Sequence, residues 1–148
     1  MAEIIPMQQE HVEQVCDIGK ECFSIPWSLD GVKAELNNPH SVTLVAMEDH
    51  SVVGFVNAHC IYGEGYINNI AVTKSYRRHG IGFLLVQALT DYGEQNKIDF
   101  FTLEVRRSNE NAIMFYEKHG FQKVGERKRF YEKPVEDAML YTRSLNNN

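Results

Sequence analysis

Two features of this 148-residue sequence have the residue types and the spacing to do chemistry. The first is the segment RRHGIG, residues 77–82, which joins an apolar run to a helical pattern. A glycine-rich turn before a helix leaves the first backbone N–H groups of that helix unpaired, and such groups bind phosphate. The second is Glu104, a carboxylate near the end of the apolar segment FFTLEV and therefore a candidate general base.

Both features have ordinary structural interpretations as well. The glycine segment lacks the Gly-Lys-Ser/Thr of a Walker loop, and Leu85 occupies the place of the third small residue in a dinucleotide-binding fingerprint. It therefore fits a tight turn with solvated arginines as well as it fits a phosphate site. Glu104 likewise fits a surface carboxylate that pairs with Arg106.

The composition is that of a soluble globular domain with a formal net charge of −5, which disfavours nucleic acid and anionic membranes and favours a positively charged partner. No signal peptide opens the sequence and no apolar run approaches membrane-spanning length, so we expect a cytoplasmic protein. Cys16, Cys22 and Cys60 form no C-x-x-C pair and are expected to be small buried hydrophobes in a reducing compartment. The six histidines show no metal-ligand spacing, so no metal is expected.

The elements that must position these residues follow from the hydrophobic periodicity. Short apolar runs predict strands at AEIIPM, SVTLVAME, SVVGFVNAHCI, GEGYINNIAV and DFFTLEV, and at two closing segments around Pro134, FQKVGERKRFYE and EDAMLYTRSL. Helical spacing predicts four helices, the third of which places on one face Ile81, Leu84, Leu85, Ala88, Leu89 and Tyr92. The order βααβββαβαββ predicts one mixed α/β domain over residues 1–148, with a disordered tail at about 146–148.

Turn and cap residues mark several element boundaries. Asp49-His50 is the predicted turn of a hairpin, and Ser28 is a predicted N-cap of the second helix. The fourth helix is predicted to begin after Ser108 or Asn109 and to stop at Gly120 in a left-handed conformation.

Several segments together carry a resemblance to a known family. RRHGIG matches the R/Q-x-x-G-x-G/A signature of the GNAT superfamily of acetyl-CoA-dependent N-acetyltransferases. The segments FSIPWS, NIAV, LEVRRSNENAIMFYEKHGF and RKRFYEKPVEDAML resemble those members that acetylate the N-terminal alanine of a small-subunit ribosomal protein. The resemblance covers nearly the whole chain and implies the GNAT fold, with helices on both faces of a mixed central sheet, and acetyl-CoA as cosubstrate.

The resemblance also implies roles for individual residues. The glycine segment would hold the pyrophosphate of coenzyme A, and the strand before it would run beside the pantetheine arm, with a backbone N–H meeting the thioester oxygen. The residues implied to bind the cosubstrate are Ile70, Ala71, Val72, Arg77, Arg78, His79, Gly80, Ile81, Gly82, Phe83 and Asn109.

In the same way, the resemblance implies that Glu104 is the general base and that Tyr116 protonates the departing thiolate. Trp27 and Tyr131 would line the acceptor site, with Phe130 in a place where the family often has another tyrosine. The residue types alone fit a core tyrosine at 116, a core plug at Trp27 and an ordinary strand tyrosine at 131.

The implied reaction is direct transfer of acetyl to the N-terminal α-amine of a basic ribosomal protein. Acetylation of other protein N-termini or of a small amine is an alternative within the same class. A non-catalytic acyl-CoA-binding sensor is an alternative of another class, against which the presence of both Glu104 and Tyr116 argues.

Overall fold

The structure, a computed structural model, describes residues 2–145. The strands are β1 (Glu3–Pro6), β2 (Ser41–Glu48), β3 (Ser51–Ile61), β4 (Glu64–Val72), β5 (Phe100–Arg106), β6 (Gln122–Glu132) and β7 (Val135–Ser144). The helices are α1 (Val12–Cys22), α2 (Leu29–Leu36), α3 (Ile81–Gln95) and α4 (Glu110–Lys118). The predicted order βααβββαβαββ and the mixed α/β class are confirmed, and the predicted tail at 146–148 lies outside the described residues.

The strands form one sheet in the order β1-β2-β3-β4-β5-β7-β6. Neighbouring strands are antiparallel except β4 and β5, which are parallel because α3 carries the chain back to the same end of the sheet. The β2–β3 turn contains Asp49 and His50 with φ of 50° and 65°, the positive values that a tight hairpin turn requires. This predicted turn is therefore confirmed.

Helices cover both faces of the sheet. One face packs on α1 and α2 through a cluster that includes Val15, Val32 and Phe55. The other face packs on α3 through Leu85 and Leu89. The buried face of α3 is rotated from the predicted one: Val86, Thr90 and Gly93 are buried, whereas Leu84, Ala88 and Tyr92 are only half-buried.

Two predicted helix caps can be seen directly. The Ser28 Oγ accepts a hydrogen bond from the Gly31 N–H at 3.0 Å, which fixes the start of α2. Asn109 rather than Ser108 caps α4, because its Oδ1 accepts from the Ala112 N–H at 3.2 Å. Gly120 follows α4 with φ of 84°, the predicted left-handed stop.

The pairing of β4 with β5 is short, and this opens the sheet. Only Glu64–Tyr66 pair with Phe100–Thr102, after which the two strands diverge. A bulge at Asn68 interrupts the pairing of β4 with β3, and bulges bend a strand and increase its local twist. The divergence leaves a wedge-shaped gap between the C-terminal halves of β4 and β5.

Gly65 permits the close approach of β4 and β5 at the narrow end of this wedge. A β-carbon at Gly65 would overlap the buried Phe101 ring and would lie 3.1 Å from the Phe100 carbonyl oxygen. We therefore expect Gly65→Ala to lower the free energy of unfolding by about 2 kcal/mol through overpacking. Thermal unfolding measures this, and Gly125→Ala in the edge strand β6 is the control, since its β-carbon would meet Leu140 at an ordinary 3.4 Å. Equal melting temperatures for the two variants would contradict the prediction.

Candidate active site

The gap between β4 and β5 is a cleft of about 470 Å³. Its walls are the diverging strands, with the N-terminal part of α4 on one side and the segment after α1 on another. It brings together five of the predicted site residues from separate segments of the chain, namely Ile70, Glu104, Asn109, Tyr116 and Tyr131.

Glu104 of β5 lines the cleft, and only 7% of its side chain is exposed. Its Oε1 accepts a hydrogen bond from the Tyr66 hydroxyl. Its Oε2 lies 3.6 Å from Arg127 Nε, beyond hydrogen-bond length, so this oxygen keeps lone pairs for another donor. The alternative pairing with Arg106 is wrong. Arg106 instead binds Glu136 at 3.3 Å.

Tyr66 is a site residue that the sequence analysis missed. It is the last residue of β4 that pairs with β5, so its side chain can reach across to Glu104 on the same face of the sheet. Burial, and then the hydrogen bond to Glu104, raise the pKa of Tyr66 above the usual range of a phenol, so the hydroxyl stays protonated and donates. The sequence offers one signal for this role: Tyr66 is a polar aromatic residue within the strand segment GYINNIAV.

Tyr116 is 8% exposed and lies at the wall of the cleft. Its ring packs edge-on against Phe115 and Phe121 at centroid distances of 5.3 and 5.5 Å. Among residues 2–145 no side chain or backbone group forms a hydrogen bond with its hydroxyl. Burial raises the pKa of Tyr116, so the hydroxyl stays protonated at neutral pH.

Tyr131 of β6 also lines the cleft. The Arg106 guanidinium sits 4.3 Å from the centroid of its ring. Arg106 also donates to the carbonyl oxygens of Lys133 and Pro134 at 3.1 and 2.9 Å, which ties the β6–β7 turn to β5. These contacts hold Tyr131 in place beside Glu104.

The glycine segment forms an open helix start, as predicted. Gly80 has φ of 78°, and a β-carbon there would meet no atom within 4 Å. The first helical hydrogen bond runs from the Leu84 N–H to the Gly80 carbonyl at 3.1 Å, so the N–H groups of residues 81–83 have no helical partner. Gly82 also permits close packing of α3 on α4, because a β-carbon there would lie 3.2 Å from the Phe115 ring.

The basic residues of this segment differ in what they contact. Arg77 donates through Nε to the Val72 carbonyl at 3.0 Å and so is held against the end of β4. Arg78 is exposed and has φ of 67°, and the exposed His79 ring lies 5.9 Å from Tyr76. The side chains of Arg78 and His79 are therefore exposed beside the helix start, whereas Arg77 is already hydrogen-bonded to the Val72 carbonyl.

The backbone of β4 presents polar groups to the cleft. The Ala71 carbonyl points toward Gly54 of β3, and backbone groups alternate in direction along a strand. Ile70 and Val72 therefore face the other way, and the Val72 carbonyl is taken by Arg77. The N–H groups of Ile70 and Val72 therefore remain as backbone donors directed toward the gap.

Trp27 does not line the cleft itself. It lines a small adjoining cavity that shares Phe23 and Asn69 with the cleft. The Trp27 carbonyl accepts a weak hydrogen bond from the Cys16 thiol at 3.7 Å. This position corresponds to the core plug that the residue type alone suggested. Its proposed contact with an acceptor stays a prediction.

The cysteines are only partly as expected. Cys16 is buried, but Cys22 and Cys60 are half-buried, because each lies at the margin of a packed cluster. Burial raises the pKa of the Cys60 thiol to about 11, so it is not a ready nucleophile.

Within residues 2–145, no three potential metal ligands are grouped to hold an ion. No helix in that range has both the length and the apolar character needed to cross a membrane.

Residues 12–121 match the family model described as the acetyltransferase (GNAT) family, and the chain belongs to this family of acetyltransferases. It is 30% identical over 146 residues to a putative [ribosomal protein bS18]-alanine N-acetyltransferase of Bacillus subtilis, covering 98% of this chain and 97% of that one. It is 31% identical over 122 residues to the [ribosomal protein bS18]-alanine N-acetyltransferase of Haemophilus influenzae, with 82% of each chain covered.

Solved structures give the same result for the fold. The crystal structure of the ribosomal-protein-S18-alanine N-acetyltransferase from Escherichia coli matches with a TM-score of 0.92 at 25% identity, covering 100% of this chain and 96% of that one. Arabidopsis thaliana NAA60 in complex with acetyl-CoA matches with a TM-score of 0.90 at 20% identity, covering 99% of this chain and 100% of that one. The GNAT fold implied by the sequence motifs is confirmed.

Proposed function

We propose that this protein transfers an acetyl group from acetyl-CoA to the N-terminal α-amine of a small-subunit ribosomal protein whose first residue is alanine. The observation that carries the proposal is the meeting of Glu104 and Tyr116 in one cleft of a GNAT-family chain. Two relatives that match most of this chain are named for that reaction. The net charge of −5 complements a basic ribosomal segment, and the reaction belongs in the cytoplasm, where ribosomal proteins are made.

The chain's own groups fit acetyl-CoA. The free N–H groups of residues 81–83 and the open Gly80 suit a pyrophosphate, with Arg78 and His79 beside them. Ile70, whose N–H is directed toward the gap, and the Asn109 side chain line the cleft that holds Glu104. When bound, acetyl-CoA would supply a thioester, an acyl group already activated toward amines.

Glu104 is the proposed proton acceptor. As the amine nitrogen bonds to the acetyl carbon, Glu104 takes the proton that the nitrogen must lose, directly or through a water. Tyr66 holds Oε1 and thereby leaves Oε2, which is not hydrogen-bonded to Arg127, for the incoming amine. Tyr66 is thus a positioning residue for the base.

Tyr116 is the proposed proton donor to the sulfur. As the carbon–sulfur bond breaks, the thiolate gains a proton or a hydrogen bond from the Tyr116 hydroxyl, which has no partner among residues 2–145. A phenol is a weaker acid than a thiol, with ordinary pKa values of ~10 and ~8.5, so donation helps by position and polarisation more than by acidity.

One carboxylate is sufficient for an α-amine and poorly matched to lysine. Removing the proton from an α-amine of pKa ~7.8 costs about 1 kcal/mol at pH 7, whereas lysine at ~10.4 costs about 4.6 kcal/mol. A site with Glu104 as its base therefore favours N-terminal amines.

The proposal is tested by measuring thiol release from acetyl-CoA in three reactions. One contains a peptide that copies an alanine-starting ribosomal N-terminus, one contains the same peptide with a blocked α-amine, and one contains a small amine. We expect release only with the free peptide. Release with the small amine alone would favour the small-amine alternative, and binding of acetyl-CoA without release would favour the sensor.

Phe83→Glu tests the helix start as the phosphate site. Phe83 is 52% exposed in the first turn of α3, where a carboxylate stabilises a helix but repels an anion. We expect the affinity for acetyl-CoA to fall roughly ten-fold or more while the melting temperature stays equal or rises. The matched control is Phe83→Gln, which removes the same ring without adding charge. Calorimetric titration of both variants decides, and equal affinities would contradict the assignment.

A further inference from the structure

A buried polar network lies behind the cleft. At its centre is Asn57 of β3, whose fully buried side chain faces Glu35 of α2. Its Nδ2 lies 2.8 Å from Thr43 Oγ1, 3.0 Å from Ser41 Oγ and 3.2 Å from Glu35 Oε1. Its Oδ1 accepts a hydrogen bond from Asn68 Nδ2 at 2.8 Å. The network therefore reaches from α2 to the wall of the cleft.

Glu35 fixes the direction of every hydrogen bond in this network. Burial alone would raise its pKa, but hydrogen bonds from Ser41 and His59, both at 2.7 Å, outweigh this and lower the pKa below the ordinary value. An ionised carboxylate can only accept. Asn57 must therefore present its amide nitrogen to Glu35 and its oxygen to Asn68.

Asn68 is the last member of this network, and its orientation follows. It must donate Nδ2 to Asn57, which leaves its own Oδ1 without a partner among residues 2–145. Asn68 is the extra residue of the β4 bulge, and bulges next to sites re-aim a side chain. It lines the cleft on the same wall as Ile70 and opposite Glu104.

We propose that Asn68 binds the first peptide group of the acceptor, with Oδ1 accepting the N–H that follows the reactive α-amine. This inference rests on the proposed function and names the feature by which the site recognises a peptide. An amide side chain offers one acceptor and one further donor, the complement of a peptide N–H and C=O. A small primary amine has neither group, so Asn68 would separate protein N-termini from small amines.

A peptide and its ester analogue test the hydrogen bond. In the ester, an oxygen replaces the first peptide N–H of an alanine-starting acceptor, so the proposed donor is absent. We expect kcat/KM of the native protein to be roughly 3–10-fold lower for the ester than for the peptide, mainly through KM. In the Asn68→Ala variant, kcat/KM for the peptide should fall to the value for the ester. The peptide-to-ester ratio of kcat/KM then becomes about one.

Any intrinsic difference in reactivity between the peptide and the ester is the same for the native protein and for the Asn68→Ala variant. The change in the peptide-to-ester ratio between the two proteins therefore measures the hydrogen bond to Asn68 alone. Asn96→Ala at the far end of α3 is the matched control and should keep the native ratio. If Asn68→Ala fails to fold, Asn68→Leu, of nearly the same shape, replaces it. Calorimetry should show unchanged acetyl-CoA affinity in either variant.

The outcomes separate this inference from the proposed function. The same peptide-to-ester ratio in native and Asn68 variants would overturn the role of Asn68 and leave N-terminal acetylation intact. A native protein that acetylates a small amine and no peptide would overturn both. A ratio that collapses toward one only in the Asn68 variants would establish the contact.

Discussion

Glu104→Gln should reduce turnover by about 10²-fold or more at neutral pH, with acetyl-CoA affinity retained. The change keeps the shape of the side chain and its contact with Tyr66 but removes the basicity on which proton removal depends. Steady-state kinetics with an alanine-starting peptide measures the turnover, and calorimetry measures the affinity.

The pH dependence of this loss is its most informative part. At high pH the α-amine, with an ordinary pKa near ~7.8, loses its proton to solvent, so the deficit of the variant should shrink. The control is Glu94→Gln, which removes the same charge on the exposed side of α3, far from the cleft. It should leave both turnover and its pH dependence unchanged. A small deficit that does not change with pH would leave Glu104 with a structural role only.

Tyr116→Phe should slow acetyl transfer by roughly 10²-fold with little change in stability. The hydroxyl has no hydrogen-bond partner among residues 2–145, and the ring contacts with Phe115 and Phe121 remain in the variant. Turnover and thermal unfolding, measured on the same sample, separate the two effects.

Tyr141→Phe is the matched control with the opposite expectation. Tyr141 is also buried, but its hydroxyl donates to Glu117 Oε2 at 3.0 Å, away from the cleft. Its loss should therefore lower the melting temperature without slowing the reaction. If both variants behave alike, Tyr116 is a core residue.

A change of acyl donor separates proton donation from positioning at Tyr116. A thioester whose leaving thiol has a lower pKa needs less help from an acid, so it should restore the Tyr116→Phe variant disproportionately. Equal slowing with both donors would leave Tyr116 as a positioning residue.

The element order could be predicted from the sequence because the signals are local. Apolar periodicity gave the strands and helices, and short polar or glycine residues such as Ser28, Asn109 and Gly120 marked their ends. The fold followed because these elements and the family motifs agree along nearly the whole chain.

The partners of the site residues could not be predicted, because they depend on pairings between distant segments. Glu104 meets Tyr66 only because β4 and β5 run parallel for three residue pairs. Arg106 binds Glu136 and the Pro134 carbonyl of the β6–β7 turn rather than Glu104, and no local sequence pattern predicts these contacts. Asn68 reaches the cleft through a bulge, and bulges carry no reliable sequence signal. The close approach of Phe115 to Gly82 depends on how α4 packs on α3, which no local pattern indicates.

The most direct test is to locate the acetyl group after reaction with one peptide that carries both an N-terminal alanine and an internal lysine. The protein is incubated with this peptide and acetyl-CoA, and the product is fragmented in a mass spectrometer. We expect a single acetyl group on the alanine α-amine and none on the lysine, and no product with Glu104→Gln in the same time. Acetyl on the lysine, or an unmodified peptide after complete incubation with the native protein, would contradict N-terminal acetylation by this cleft.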